Sequence, residues 1–418
     1  MAEKRIVLSK CGSIDPQDIG TYIAKGGFIA FIKARDKMKP QAIIAEIKKS
    51  GLTGRGGAGF NTGLKWELAR SIKAKAKYLL CNADEGEVGT FKDKYILSND
   101  PFGLIEGMCI AGLAIGAQQA FIYLRNEYHF LYDPLVRAVG QVREKGYLKH
   151  MDIQVFEGAG AYICGEESAL MNSIEGMRGE SRYKPPYPPT RGLWGLPTII
   201  NNVETLMNVP HIINNGAAWF SAMGTGRSKG TKVFSVSGDV SRPGVYELEM
   251  GSTLRELVVG LAGADDLKAV QIGGATGNIL PASMLDTPLS HETYLGSGAV
   301  VALNSGRDII DVVQNDMHFL NDESCGKCTP CREGTEVMLE IFGRLARGEG
   351  HEGDINSLDA LARAMAVSSL CGLGQAAAVP VLDSLRYFYN DYIDRINQSH
   401  FLRSYLGGEL FKSEEGIR

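Results

Sequence analysis

The sequence predicts a chain of three fold classes in succession: an α/β unit with a largely parallel sheet, a small α+β unit of the β-grasp type, and an all-α part at the C-terminal end. Three observations carry this. Short apolar strands alternate with helical stretches between residues 77 and 176. Strand candidates around a single short helix occupy residues 230–306. From Arg307 onward the apolar residues recur at helical spacing. At 418 residues the chain is long enough for roughly two or three domains.

Residues 1–75 read as mostly helical and end in a glycine-rich loop. In QAIIAEIKKSGLT, Ile43, Ile44, Ile47 and Leu52 keep the helical period. The loop that follows, GRGGAGF (54–60), matches G-x-G-x-x-G through Gly54, Gly56 and Gly59. That fingerprint opens a Rossmann unit only after a strand, and here a helix precedes it. A phosphate-cradling loop of another kind is expected. Next come a strand at 77–81 (KYLLC), a helix at 103–119, a strand at 120–125, a helix at 132–145, a strand at 152–156 and a helix at 168–176. The apolar stretch 102–117 carries Glu106 and is shorter than the ~20 residues a membrane span needs, so it reads as a buried helix. The run KPPYPPTRGLWGLP (184–197) excludes regular helix and central strand, and predicts a long ordered loop. Two strands then flank a Ser-Arg-Pro-Gly turn in TKVFSVSGDVSRPGVYELEM, followed by a helix at 253–261 and strands at 269–272 and 299–303. Helices are predicted at 309–320, 332–347, 355–368 and 379–406.

The formal net charge of −4 offers no basic face for nucleic acid. The start MAEKRIVLSK has no apolar leader core, so the eight cysteines are expected in a reducing, cytoplasmic compartment. Four of them, Cys11, Cys81, Cys109 and Cys164, are scattered and read as buried free thiols. The others are organised. SCGKCTPCREGT places Cys325, Cys328 and Cys331 as C-x2-C-x2-C, and Cys371 follows in SLCGLGQ. Three close thiolates and a distant fourth suit a [4Fe–4S] cluster. A structural zinc, which more often uses two C-x2-C pairs, is the alternative.

CNADEGEVGTFKDK gathers Asn82, Asp84, Glu85 and Glu87 where the first strand ends. Ligand sites in α/β sheets open at such ends, although a solvated turn has the same composition. GAGAYICGEESALMNSIEG supplies Tyr162, Gly165, Glu166 and Glu167 at a helix start, and INNVET supplies Asn201, Asn202 and Thr205 at another. Such residues cap helices, or bind phosphate beside free N–H groups. No nucleophile motif, P-loop or H-E-x-x-H occurs. Hydride transfer between flat rings needs orientation rather than a protein nucleophile, and a chain of this kind suits it.

Taken in order, GRGGAGFNTGLKW, CNADEGEVGTFKD, GAGAYICGEESALMNSIEG, RYKPPYPPTRGLWGLPTIINNVET and SCGKCTPCREGT…CGLG resemble the family of NADH-binding flavoproteins of respiratory complex I, over essentially the whole chain. The resemblance implies an N-terminal helical segment with the glycine loop (1–75), a Rossmann-like FMN and NADH domain (76–228), a ubiquitin-like, soluble-ligand-binding domain (229–306) and a helical bundle with a [4Fe–4S] cluster (307–418). It implies FMN contacts at Gly54, Arg55, Gly56, Gly57, Lys65, Asn82, Asp84, Glu85, Tyr162, Gly165, Glu166, Asn201, Asn202 and Thr205. Phe60 and Tyr187 match the aromatics that sandwich the adenine of NADH, and Glu87, Glu167 and Lys184 the polar groups around its remainder. Glu85, Glu87 and Glu167 are the acidic residues expected nearest the chemistry, and Cys325, Cys328, Cys331 and Cys371 the cluster ligands. Departures occur at Asn61, where relatives often have proline, at Leu68, where an aromatic is common, and at Tyr187, usually phenylalanine. The implied reaction is NADH oxidation at FMN followed by single-electron transfer toward quinone. The implied partners are a small thioredoxin-like [2Fe–2S] protein and other components of the peripheral arm, with membrane contact only through the complex, on the cytoplasmic side of the inner membrane. Related flavin proteins serve NAD-reducing hydrogenases and NAD-dependent formate dehydrogenases. Those often begin with a [2Fe–2S] extension, so the short start here favours complex I. A zinc-stapled scaffold without flavin is the non-catalytic alternative.

Overall fold

The computed structural model describes residues 3–397. Among them, the first sheet holds β1 (Tyr78–Ala83), β2 (Gln119–Leu124), β3 (Asp152–Glu157) and β4 (Thr198–Asn202) in the order β3-β2-β1-β4, all neighbours parallel. β4 has no counterpart in the sequence reading, which runs a loop to 197 and starts a helix within 200–205. It is short, follows Pro197, and leads directly into the helix Val203–Asn215, so nothing separates its signal from the neighbours'. The proline-rich stretch is not wholly loop either. Pro188–Arg191 forms one helical turn opened by Pro188 and Pro189, where a missing N–H costs nothing.

The helix Pro101–Ile115 is buried along almost its whole length. Asp100 caps it, accepting from Gly103 N at 2.8 Å. It ends sooner than the predicted 119 because Gly116 turns left-handed (φ 78°) and Gln119 already belongs to β2. Its one carboxylate, Glu106, accepts from the Tyr22 hydroxyl (2.5 Å) and from Phe28 N and Phe31 N (2.9 and 3.0 Å), which holds the N-terminal helices on the sheet. As predicted, the glycine loop follows a helix, Pro40–Ser50, and Thr62–Ser71 follows the loop.

The second sheet contains β5 (Thr231–Gly238), β6 (Gly244–Glu249), β7 (Leu267–Ile272), β8 (Asn278–Pro281) and β9 (Ala299–Asn304), ordered β6-β5-β9-β7-β8. β5 and β9 run parallel and the remaining pairs antiparallel. The predicted helix at 253–261 is wound more widely than an α-helix over Glu256–Leu261, a π-turn closed by Ala262 N to the Leu257 carbonyl at 2.9 Å. The C-terminal part is helical: Ile309–Asp322, Thr329–Ala346, Glu352–Ser368, Gly372–Ala376 and Ala378–Tyr387. The helix expected over 379–406 breaks at Phe388 (φ −128°, ψ 32°) and resumes to 397; the rest of that expectation lies outside the described residues.

The first sheet is covered on both faces. Leu79, Cys81, Ile122 and Leu124 pack with the helix Pro101–Ile115, whereas Leu80, Phe121 and Tyr123 share a core with Val313, Met338 and Leu358 of the C-terminal helices. Strands buried on both faces read as continuous apolar runs, which is why β1 and β2 were legible. Beyond the carboxyl ends of the strands, Glu87 after β1 accepts from Thr276, between β7 and β8, and Tyr162 N after β3 donates to Glu323 at the end of Ile309–Asp322. Among the described residues no helix is long and apolar enough to cross a membrane.

Candidate functional site

The end of β1 is tied to the turn Tyr162–Gly165. Asn82 Nδ2 donates to the Gly165 carbonyl at 2.8 Å, and Asn82 Oδ1 accepts Asp84 N–H at 3.0 Å. Asp84 Oδ2 is buried and has no protein partner. Burial pushes this carboxyl up to about 7, although Arg125 opposes the shift. An unpaired buried oxygen costs ~1–3 kcal/mol, so its persistence fits a polar ligand at the strand exit.

The glycine loop closes through Gly54 N to the Phe60 carbonyl, 2.9 Å, and Arg55 N donates to Thr205 Oγ1, 2.9 Å, in the first turn of Val203–Asn215. A Cβ at Gly56 would lie 3.1 Å from Asn202 Cβ, and one at Gly59 (φ +65°) 2.7 Å from His291 Nδ1. Glycine at 56 thus relieves a tight approach to Asn202, which caps the helix Val203–Asn215, and glycine at 59 avoids a clash with His291; a helix N-terminus is the usual place for a phosphate. Gly57 is less confined, with the Gly296 carbonyl carbon 3.9 Å from where its Cβ would be. The Arg55 side chain points elsewhere. It is fully buried and donates to the carbonyls of Thr231 (3.1 Å), Thr53 (3.2 Å) and Lys229, bracing the loop against β5. Asn201 Oδ1 accepts from Trp66 Nε1 at 2.8 Å. Asn202 caps its helix through Glu204 N (3.0 Å) and donates to Asp93 Oδ2 (2.6 Å).

Glu85 also faces inward. Its carboxylate accepts from Asp93 N (2.8 Å), Lys94 N (3.0 Å) and the Tyr128 hydroxyl (3.1 Å), fixing the start of the helix Lys92–Asn99. Glu87 accepts from the Tyr162 hydroxyl at 2.6 Å and from Thr276 Oγ1 of the second sheet's unit at 2.7 Å. Burial raises its pKa, and those hydrogen bonds lower it in part. Lys65 Nζ bridges Glu167 Oε2 (3.1 Å) and the Ile200 carbonyl (3.0 Å). Lys184 Nζ sits 2.7 Å from Glu166 and 3.0 Å from Glu167. Burial pushes Glu167 up, but Lys65 and Lys184 outweigh it and hold the carboxylate below its ordinary range. Phe60 and Tyr187 leave 55% and 56% of their surface exposed, which suits a stacking partner from solution.

Sequence reasoning missed a buried charge cluster beneath the loop. Lys92 Nζ lies 2.7 Å from Asp93 and 3.0 Å from Glu204, and Lys232 Nζ of β5 lies 2.6 Å from the same Glu204 oxygen. All four are essentially inaccessible. The only signal in the sequence is charge inside otherwise apolar strand and helix starts.

Cys325, Cys328, Cys331 and Cys371 all line one small cavity, shared with Ile163, Ser181 and Ser324. Thr329–Ala346 begins at Cys328, so Cys331 already stands in the first helical turn. Leu370 N–H points at Cys328 Sγ (3.5 Å) and Ser324 Oγ at Cys331 Sγ (3.3 Å). A zinc ion draws each sulfur to ~2.3 Å, whereas a cubane spreads its ligands over four corner irons. Four thiols on one cavity supply the four sulfur ligands a [4Fe–4S] cluster takes. Ile163 lies on that cavity while its neighbours Tyr162 and Gly165 touch Glu87 and Asn82.

Comparison with known proteins agrees with this arrangement. Residues 47–211 match the family described as the Nuo51 FMN-binding domain, residues 311–395 the iron–sulfur binding region of NADH-ubiquinone oxidoreductase-F, and residues 233–275 the SLBB domain. The chain is 41% identical over 398 residues to the mitochondrial NADH dehydrogenase [ubiquinone] flavoprotein 1 of Dictyostelium discoideum, covering 90% of this chain and 83% of that protein. It is 42% identical over 406 residues to the NADP-reducing hydrogenase subunit HndC of Solidesulfovibrio fructosivorans, covering 93% and 82%. A crystal structure of an NAD+-reducing [NiFe]-hydrogenase in the H2-reduced state superposes with a TM-score of 0.87 at 39% identity, over 94% of this chain and 67% of that one.

Proposed function

The chain belongs to the NADH-ubiquinone oxidoreductase-F family, and from that premise we propose that it is the NADH-oxidising component of a complex-I-type assembly. FMN supplies hydride acceptance from NADH, and the [4Fe–4S] cluster carries the electrons onward one at a time. The observation that carries the reading is the turn Tyr162–Gly165, with one residue on the thiol cavity and its neighbours on the strand exit. Consecutive Cα atoms are ~3.8 Å apart, so the two cofactor sites are neighbours along the backbone.

In this reading the backbone of 54–59 and the N-terminus of Val203–Asn215 receive the FMN phosphate, with Thr205 and Asn202 shaping that end. Asp84 and Asn82 meet the ring, and Lys65 orients Glu167. Arg55 and Glu85 serve by bracing rather than by touching the cofactor. Phe60 and Tyr187 enclose the adenine, while Lys184, Glu87 and Glu167 line the nicotinamide side. Phe60→Ala is then expected to raise KM for NADH about fivefold with kcat nearly unchanged, since stacking is worth ~1 kcal/mol and acts in ground and transition states alike. Steady-state kinetics checks this. Glu87 places a carboxylate beside the ring, which disfavours further negative charge. Glu87→Gln is therefore expected to raise the flavin midpoint potential, and an unchanged spectroelectrochemical value would remove that role.

The proposed domains are 1–75, helical with the loop, 76–228, Rossmann-like, 229–306, β-grasp, and 307–418, the cluster bundle, of which residues 1–2 and 398–418 lie outside the described residues. The β-grasp part is supported by the order β6-β5-β9-β7-β8 with its parallel central pair. A small thioredoxin-like [2Fe–2S] partner, other components of the peripheral arm and a place on the cytoplasmic face of the membrane complete the proposal. The likeness to hydrogenase proteins favours a second reading, a flavin component that reduces NAD(P)+ with electrons from hydrogen. Anaerobic NADH titration of the chain with its small partner, followed by visible and EPR spectra, tests both; flavin and cluster must respond. Hydrogen-dependent NAD(P)+ reduction by the native complex selects the second, and NADH:quinone activity the first.

A further inference from the structure

Ser181 is 2% exposed and lines the cavity of the four cysteines, yet its Oγ has no protein partner. Buried hydroxyls are rarely left unpaired. The atoms around it are held firmly. Lys327, between the first two cysteines, donates to the Ser181 carbonyl at 2.8 Å and to Glu180 at 2.9 Å. Asn172 Nδ2 donates to the Glu180 carbonyl at 2.8 Å, and Arg182 N donates to Ser168 Oγ at 2.9 Å. The backbone on both sides of Ser181 is therefore fixed by groups other than its hydroxyl.

We propose that Ser181 Oγ–H donates a hydrogen bond to a sulfur of the [4Fe–4S] cluster and thereby raises its reduction potential. A hydroxyl has a proton to give, and sulfide and thiolate sulfurs are acceptors. The reduced cluster carries one more negative charge than the oxidised one, so a donor aimed at sulfur stabilises it selectively. Ser324 and Leu370 N–H already face Cys331 and Cys328. Ser181 comes from a separate segment, the one whose Lys184 contacts Glu166 and Glu167. Its role rests on the cluster reading above.

The test is an EPR-monitored redox titration of the complete complex carrying wild-type chain, Ser181→Ala or Ser181→Thr. Removing the donor is expected to lower the reduced-to-oxidised ratio at a fixed ambient potential about fivefold to tenfold, tenfold being ~59 mV for one electron. Ser181→Thr keeps the hydroxyl and is expected to restore most of the ratio. An assembled Ser181→Ala cluster with an unchanged midpoint overturns the inference while leaving the cluster reading intact. A wild-type complex with no iron–sulfur signal at all overturns that reading instead. Where Ser181→Ala fails to load iron, full loading of Ser181→Thr supports the hydroxyl contact, and failure of both variants counts against it.

Discussion

Replacing Cys371 with serine is expected to abolish the [4Fe–4S] EPR signal and to cut electron delivery beyond the flavin more than about 100-fold, the upper end of what changes merely near a metal site cost. NADH should still bleach the flavin band, because Cys371 reaches the cavity from the turn before Gly372–Ala376, and neither Phe60 nor the glycine loop lines that cavity. Stopped-flow absorbance separates the two events. A variant that loses flavin reduction together with the cluster would show that the two sites do not assemble independently. A variant that keeps the EPR signal would remove Cys371 from the ligand set.

Glu204→Ala is expected to cost ~3–5 kcal/mol of stability, the range for stripping one partner from a buried ion group. Lys92 and Lys232 would both lose their shared acceptor, and Val233 N would lose its bond to Glu204 Oε1 at 2.8 Å. Burial works against the Glu204 charge, but Lys232, Lys92 and Arg55 together hold its pKa below the usual range, so the ionised form is the one being removed. A chemical-denaturation midpoint measures the loss. Flavin retention should fall with it, since Glu204 stands in the first turn of the helix whose N-terminus meets the glycine loop. The double variant Glu204→Ala with Lys232→Met should recover part of the stability, because burial already pulls Lys232 down to about 7 and the variant removes a buried amine left without its acceptor.

What could be read from the sequence was what is local. The cysteine spacing, the glycine loop after a helix, and the doubly buried strands β1 and β2 announce themselves within a few residues. β4 did not, because five residues wedged between proline and a helix carry no period of their own. The direction of the Arg55 and Glu85 side chains was equally out of reach. Both lie in motifs that match a flavin site, but which way a side chain turns depends on β5 and on Lys92–Asn99, elements the motif does not contain. The cluster of Lys92, Asp93, Glu204 and Lys232 joins positions far apart in sequence, and Ser181 looked like any serine in a polar loop.

The bond pattern of Arg55 has a further consequence. Its guanidinium is gripped by the carbonyls of Lys229 and Thr231, and Glu247 of β6 in turn accepts the N–H groups of Ile6, Val7 and Leu8. The opening residues, the glycine loop and the mixed sheet are thus laced together by polar bonds although their apolar interiors are largely separate, and cutting the gene near codon 229 would sever those bonds and strand the buried Arg55 and Glu247. Recombination between relatives should therefore be poorly tolerated at a crossover near residue 229, where buried charge would lose its partners.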